Sequence, residues 1–125
     1  MTDVTVKQFA EVVGVPSDRL LAQLVEAGME IGQLLRLFAP RGWLPPVMPG
    51  TGFATIGGGI AMDVHGKNHH VDGSFGNFVD WIEVMEPDGS VTRCSARKNA
   101  ALFDWTVGGM GLMGSLGISV VERTR

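Results

Sequence analysis

Val79-Asp80-Trp81-Ile82-Glu83-Val84-Met85-Glu86-Pro87-Asp88-Gly89-Ser90-Val91-Thr92-Arg93-Cys94 decides the fold class. Apolar and polar positions alternate from Val79 to Met85, which is the period of a half-buried strand. Glu86-Pro87-Asp88-Gly89 is a strong turn, because proline presets its φ and glycine accepts a positive one. Ser90 to Cys94 then pairs back as a hairpin. Antiparallel pairing of this kind needs apolar cover on one face, so the neighbouring segments are read for what can supply it.

Downstream, Asn99 to Trp105 reads as a helical turn, and Leu116 to Val121, rich in β-branched residues, as a final strand. Upstream, Leu34, Leu35, Leu37 and Phe38 mark a helix ended by Pro40. Gly42 to Gly50 must be extended and turning, since its prolines exclude helix. Phe53 to Ile56 is a short strand candidate. Gly57 to Val64 is open, and its glycines also suit a short helix over a ligand. At the start of the chain, Phe9, Val12 and Val13 suggest one short helix stopped by Gly14. Pro16, Ser17 and Asp18 open a second, with Leu20, Leu21, Leu24 and Val25 at helical spacing and Gly28 ending it. The expected fold is α+β: an N-terminal helical pair over residues 1–30, then an α+β unit over 31–125 with a small, mostly antiparallel sheet. Trp81, Trp105 and the methionines at 29, 48, 62, 85, 110 and 113 are expected to fill the core.

Composition narrows the function classes. The chain has 125 residues, a net charge of −3 and no evident basic face, so nucleic acid is not an expected partner. Cys94 is alone, which fits a reducing, cytoplasmic compartment and excludes both an internal disulfide and a cysteine zinc cluster. The acidic start does not read as a signal peptide, and no window is apolar enough to span a bilayer, so no membrane partner is expected.

The chemistry gathers in His65-Gly66-Lys67-Asn68-His69-His70-Val71-Asp72-Gly73-Ser74-Phe75-Gly76-Asn77. All three histidines fall here, bracketed by glycines that let backbone N–H groups approach an anionic or planar ligand. A metal site is the alternative, with His65 and His69 four apart and Asp63 or Asp72 adding oxygen, but the glycines argue against a helix through that spacing. Gly109-Met110-Gly111-Leu112-Met113-Gly114 spells G-x-G-x-x-G. A dinucleotide fingerprint requires a helix after it, whereas the residues that follow read as a strand, so the string reads as tight backbone packing. Cys94 has no histidine nearby in sequence and is not read as a nucleophile. No catalytic residue and no metal ligand is assigned.

From about Leu34 to Val121 the chain resembles flavin-dependent oxidases of the vanillyl-alcohol-oxidase type, and within them the decaprenylphosphoryl-β-D-ribose 2′-oxidase group. The likeness is carried by Pro49-Gly50-Thr51, Ile56-Gly57-Gly58-Gly59-Ile60-Ala61-Met62-Asp63-Val64-His65-Gly66-Lys67-Asn68-His69-His70, Gly73-Ser74-Phe75-Gly76-Asn77, Leu102-Phe103-Asp104-Trp105 and Val107-Gly108-Gly109-Met110-Gly111-Leu112. The resemblance implies a partial FAD-binding subdomain of the PCMH type. It implies that Gly50 and Thr51 approach the pyrophosphate, that Gly58, Ala61, Val64 and His65 lie along the diphosphate, ribityl and ring regions, and that Lys67 looks toward the substrate side. Gly57, Gly66 and Asn68 complete the implied cofactor-binding set. That group holds FAD without a covalent link, so His65 is read as a contact, and His69 and His70 as holding the loop through hydrogen bonds. Gly52 stands where the family commonly has a basic residue, which bears on local anchoring.

Residues 1–29 resemble something different, the N-terminal helical module of bacterial translation initiation factor two. The likeness rests on Met1-Thr2-Asp3-Val4-Thr5-Val6-Lys7-Gln8-Phe9-Ala10 and Asp18-Arg19-Leu20-Leu21-Ala22-Gln23-Leu24. An engineered, recombined or computationally generated chimera, joined near Met29 to Gln33, is the simplest account of the two likenesses together. The family's upstream pyrophosphate loop and downstream substrate domain are absent from these residues. The expected function is therefore a piece of an FAD-dependent alcohol or sugar oxidase, binding FAD or an adenine nucleotide weakly at most and without full catalysis of its own. Its exposed sheet edges favour a homo-oligomer. The rival is a non-catalytic folded chimera without ligand.

Overall fold

The structure, a computed structural model, describes residues 25–42 and 44–121. Its order is strand β1 (Val25–Glu26), helix α1 (Ile31–Phe38), helix α2 (Ile56–Ala61), helix α3 (His69–Asp72), strands β2 (Val79–Met85) and β3 (Val91–Ser95), helix α4 (Ala100–Thr106) and strand β4 (Ser115–Val121). Short 3-10 turns follow α1 at Ala39–Arg41 and precede β2 at Phe75–Phe78. The four strands form one sheet in the order β1-β4-β2-β3, and every pairing is antiparallel.

The hairpin is as its residues dictate. Trp81 faces Ser95 and Met85 faces Val91 in register. Gly89 takes a φ of 85°, and Ser90 donates through both its N–H and its hydroxyl to Asp88. Those two donations hold the Asp88 carboxyl below the usual carboxylate range. β2 also pairs with β4, and the register slips between Val79 and Trp81 and again between Ile82 and Val84. The first slip places an extra residue in β2, which is why Val79 is buried with Ile82 and Val84 although its parity is opposite.

The core lies between the sheet and the helices. Ile31, Leu34 and Phe38 of α1 and Ile56 and Ile60 of α2 meet Phe75, Val79, Ile82, Val84, Cys94 and Phe103. α1 is opened by Glu30, whose N–H donates to Gln33 Oε1 (3.0 Å). α2 contains three consecutive glycines, a poor helical sequence. It forms because Thr55 caps it, accepting from Gly58 N (3.0 Å), and because Ile56 and Ile60 are wholly buried. Burial also pushes the Cys94 thiol pKa up, which keeps it protonated and inert.

Several expectations are corrected. Val25 is not helical: with Glu26 it pairs with β4, and the chain turns at Ala27 and Gly28. The rest of the expected helical pair, residues 1–24, lies outside the described residues. Backbone hydrogen bonds run across position 30/31. Ala27 N donates to Gly117 O, Gly57 N to Ala27 O and Ile56 N to Met29 O, at 2.7–2.9 Å. Phe53 to Ile56 is not a strand, because Thr55 makes one bridge with Glu30 and then caps α2. Trp105 is 69% exposed, and Met48, Met62, Met85, Met110 and Met113 are also exposed, because Ile, Val and Phe already fill the interior. Met29 alone of the six packs on the core, half-buried. Trp81 is half-buried under the Arg93 guanidinium, 3.7 Å from its ring centre. No helix among the described residues is long and apolar enough to cross a membrane. The outer edge of β3 is partly closed by its own chain: Asn99 Nδ2 donates to Arg93 O and Ser95 N to Lys98 O.

Candidate functional site

The histidine-rich stretch is a loop closed at its base. Phe75 N donates to Val64 O (2.8 Å), and His65 bridges Ser74 across the neck. Asp63 secures it with both carboxylate oxygens, Oδ2 accepting from Ser74 Oγ (2.9 Å) and Oδ1 from Gly76 N (2.8 Å). Within the loop, α3 runs for one turn only. It begins at His69, so His65 is not on its face and the i, i+4 spacing is not a helical one. The two rings still meet, with centres 4.9 Å apart and planes tilted by 57°, and His70 stands edge-on to His69 at 5.9 Å. Among the described residues no three His, Cys, Asp or Glu side chains gather in a way that could hold a metal ion.

The loop lies against the proline-rich segment. Asn68 Nδ2 donates to Pro46 O (2.8 Å) and to Asp72 Oδ2 (2.6 Å), tying the two walls together. Gly66 is buried where they touch: a Cβ there would stand 2.8 Å from Met48 O and 2.7 Å from Asn68 Oδ1. Between the walls is an open groove of about 740 Å³, with Pro46, Met48, Pro49 and Gly50 on one side and His65, Gly66, Lys67, Asn68 and His69 on the other.

One wall is apolar and conformationally fixed, while the other carries a cation and two imidazoles. Lys67 makes no ion pair and no hydrogen bond among the described residues. Nδ1–H of His69 donates to Gly66 O (3.0 Å), which leaves Nε2 as its second polar atom. Such a groove suits a ligand that joins an anionic group to a flat, weakly polar body. Replacing Gly66 by alanine is expected to push the walls apart and cost about 1–3 kcal/mol through overpacking. Urea denaturation would show the loss, and an unchanged midpoint would mean the walls are not in contact.

Five of the ten implied cofactor residues meet in the groove: Gly50, His65, Gly66, Lys67 and Asn68. Thr51 adjoins Gly50, and its hydroxyl accepts from Phe53 N. Gly57, Gly58, Ala61 and Val64 do not line it but build the support beneath the loop. Gly57 N donates to Ala27 O and Gly58 N to Thr55 Oγ1, so both N–H groups already have partners. Gly57 is required by contact, since a Cβ there would meet Ala27 at 3.0 Å. Ala61 O accepts from Met110 N, and Val64 O holds the loop neck. Pro46, Met48 and Pro49 were not among the implied residues; the only signal for them was the run of prolines that forces an extended wall. His69 both lines the groove and holds the loop.

The family described as FAD binding domain matches residues 4–95, most of the chain and most of the stretch preceding α1. Decaprenylphosphoryl-beta-D-ribose oxidase of Mycolicibacterium smegmatis is 44% identical over 101 residues, covering 80% of this chain and 22% of that protein. An uncharacterized protein of Streptomyces coelicolor is 42% identical over 82 residues, 66% of this chain and 22% of its own length. Human Delta(24)-sterol reductase is 30% identical over 104 residues, 81% of this chain and 20% of its own. The chain thus spans about a fifth of the length of these curated relatives. On the match over residues 4–95, this chain belongs to the FAD-binding domain family.

Proposed function

We propose that the groove between Pro46–Gly50 and His65–His69 holds part of an FAD molecule, and that this segment serves an FAD-dependent oxidoreductase acting on an alcohol or sugar carbon. The observation that carries the reading is the pairing of Lys67, without a partner among the described residues, and two imidazoles with a proline-walled face, in a chain of the FAD-binding family. The donor set fits the cofactor: a dinucleotide offers an anionic diphosphate to cations and backbone N–H groups, and flat rings to the apolar wall. When bound, FAD supplies the hydride acceptor, and the protein supplies binding and orientation. Gly50 and Thr51 are assigned to the pyrophosphate, His65 to the ribityl and ring region, and Lys67 to an anionic group on the substrate side. Gly57, Gly58, Ala61 and Val64 act from below by fixing the loop, and Asn68 by joining the walls. The two relatives with descriptive names are an oxidase and a reductase, consistent with redox chemistry at a carbon centre. Neither the initiation-factor likeness of residues 1–29 nor a chimeric origin enters the reading.

The test is a thermal melt of the purified chain against increasing FAD, with ADP in parallel. A ligand selective for the folded state stabilises it by about 2.7 kcal/mol at a hundred times its Kd, and FAD is expected to raise the midpoint accordingly. An equal shift with ADP would place the adenine half in the groove. No shift at millimolar FAD would sink the proposal and favour a folded chain without ligand.

A further inference from the structure

We propose that Asp63 is a positioning residue: its carboxylate closes the neck of the histidine loop and so sets where His65, Lys67 and His69 stand in the groove. The inference rests on the flavin reading only for its effect on FAD, since the placement of the loop is a property of the chain itself. Three separate pieces of backbone converge on this side chain. Asp63 follows α2 directly, its N–H donating to Ile60 O (3.0 Å). Its two oxygens accept from the Ser74 hydroxyl and the Gly76 N–H on the far side of the neck. On the third side, Gly108 N donates to Ile60 O, and a Cβ on Gly108 would come within 3.3 Å of the Asp63 Cβ. A Cβ on Gly76 would stand 3.0 Å from Asp63 Oδ1. Glycines at 76 and 108 therefore leave room for one carboxylate between them.

The backbone carries a cost for this arrangement. Asp63 has a φ of 45°, in the left-handed region that most side chains avoid and aspartate tolerates comparatively well. Such a conformation persists where surrounding contacts over-determine it, and here two hydrogen bonds to a carboxylate do so. The groove wall begins at His65, two residues beyond Asp63, and His69 lies four residues further along the same closed loop. A neck that opens lets those rings and Lys67 drift from the proline wall. Asn68 holds the far end of the loop to Pro46, and at the end nearer α2 Asp63 adds its two side-chain bonds to the Phe75 N–Val64 O bond of the neck.

Three chains test this: wild type, D63G and D63N. Glycine removes the carboxylate without strain at positive φ. Asparagine keeps an acceptor for Gly76 N–H and accepts the same backbone. In wild type, the imidazole signals of His65 and His69 are expected to be distinct in proton–nitrogen spectra. In D63G they are expected to lose the difference that their ring contact imposes, with amide changes confined to residues 63–76 and 107–108, while FAD affinity falls tenfold or more. D63N is expected to recover most of both. Unchanged histidine signals in D63G would overturn the proposal. So would changes spreading through the β2–β3 hairpin, or a D63N indistinguishable from D63G, since either indicates general destabilisation. If wild type does not bind FAD, the flavin reading fails, and the histidine signals still decide the role of Asp63.

Discussion

Phe75→Ala is expected to remove about 3–5 kcal/mol of folding stability, the usual cost of deleting a buried aromatic ring. Phe75 is 1% exposed and sits where the histidine loop returns to the sheet. Its ring lies under α2, close enough that a Cβ on Gly59 would touch it at 3.8 Å, and its N–H closes the loop neck on Val64 O. The truncation leaves a cavity in the buried cluster beneath α2, whose residues come from helix, loop and strand and cannot collapse together. Domains of this size carry only about 5–15 kcal/mol in total, so the variant is expected to unfold at a much lower urea concentration and to lose FAD binding with its fold. A loss under about 1 kcal/mol, far below the cavity cost, would show that the ring is not enclosed.

The elements that were legible in the sequence are those whose determinants are local. β2 follows from alternation, and the Glu86–Ser90 turn from Pro87, Asp88 and Gly89, each with its own bonding or dihedral reason. α1 follows from its apolar spacing, with the capping pair Glu30 and Gln33 at its start. Where long-range partners decide, local reading fails. Val25 continues a helical spacing from Leu20, yet the unpaired edge of β4 claims it for the sheet. α2 has a sequence that no propensity scale favours, and it exists because its glycines allow Ala27 to approach while Ile56 and Ile60 are buried. Hydrophobicity identified Trp105 and five methionines as apolar without saying which way they face; the loop that carries Met110, Leu112 and Met113 lies outside the packed layers.

The site divides in the same way. Glycines, histidines, Lys67 and Asn68 in one short run marked a binding loop, because no core needs that mixture. The opposite wall was hidden, since Pro46 and Met48 are about twenty residues upstream and meet the loop through Asn68 Nδ2 and the missing side chain of Gly66. Glycine itself is ambiguous in sequence. Gly50 lines the groove, whereas Gly57 and Gly58 have their N–H groups tied within the protein and serve the support beneath it.

Gly114→Val is expected to cost about 2–5 kcal/mol, the sum of backbone strain and overpacking at one position. Gly114 closes the G-x-G-x-x-G string, but no phosphate-binding helix follows it: the chain passes directly into β4, with Ser115 paired to Met85. To enter there it takes a φ of 145°, a conformation open in practice to glycine alone. A Cβ at this point would stand 2.5 Å from Met85 O and 2.8 Å from Val84 Cγ1, and the first of these is backbone held in the sheet. Valine therefore has neither the dihedral nor the space, and relief requires β4 to part from β2 at its first pair. Gly111 is the internal comparison, with a φ of 75° and no neighbouring atom within 4 Å of where a Cβ would stand. Gly111→Asn is expected to cost less than about 1 kcal/mol, because asparagine tolerates the left-handed region and meets no neighbour. Urea denaturation of both variants beside wild type separates strain with contact from strain alone. Equal losses in the two would show that β4 does not enter the sheet against Met85.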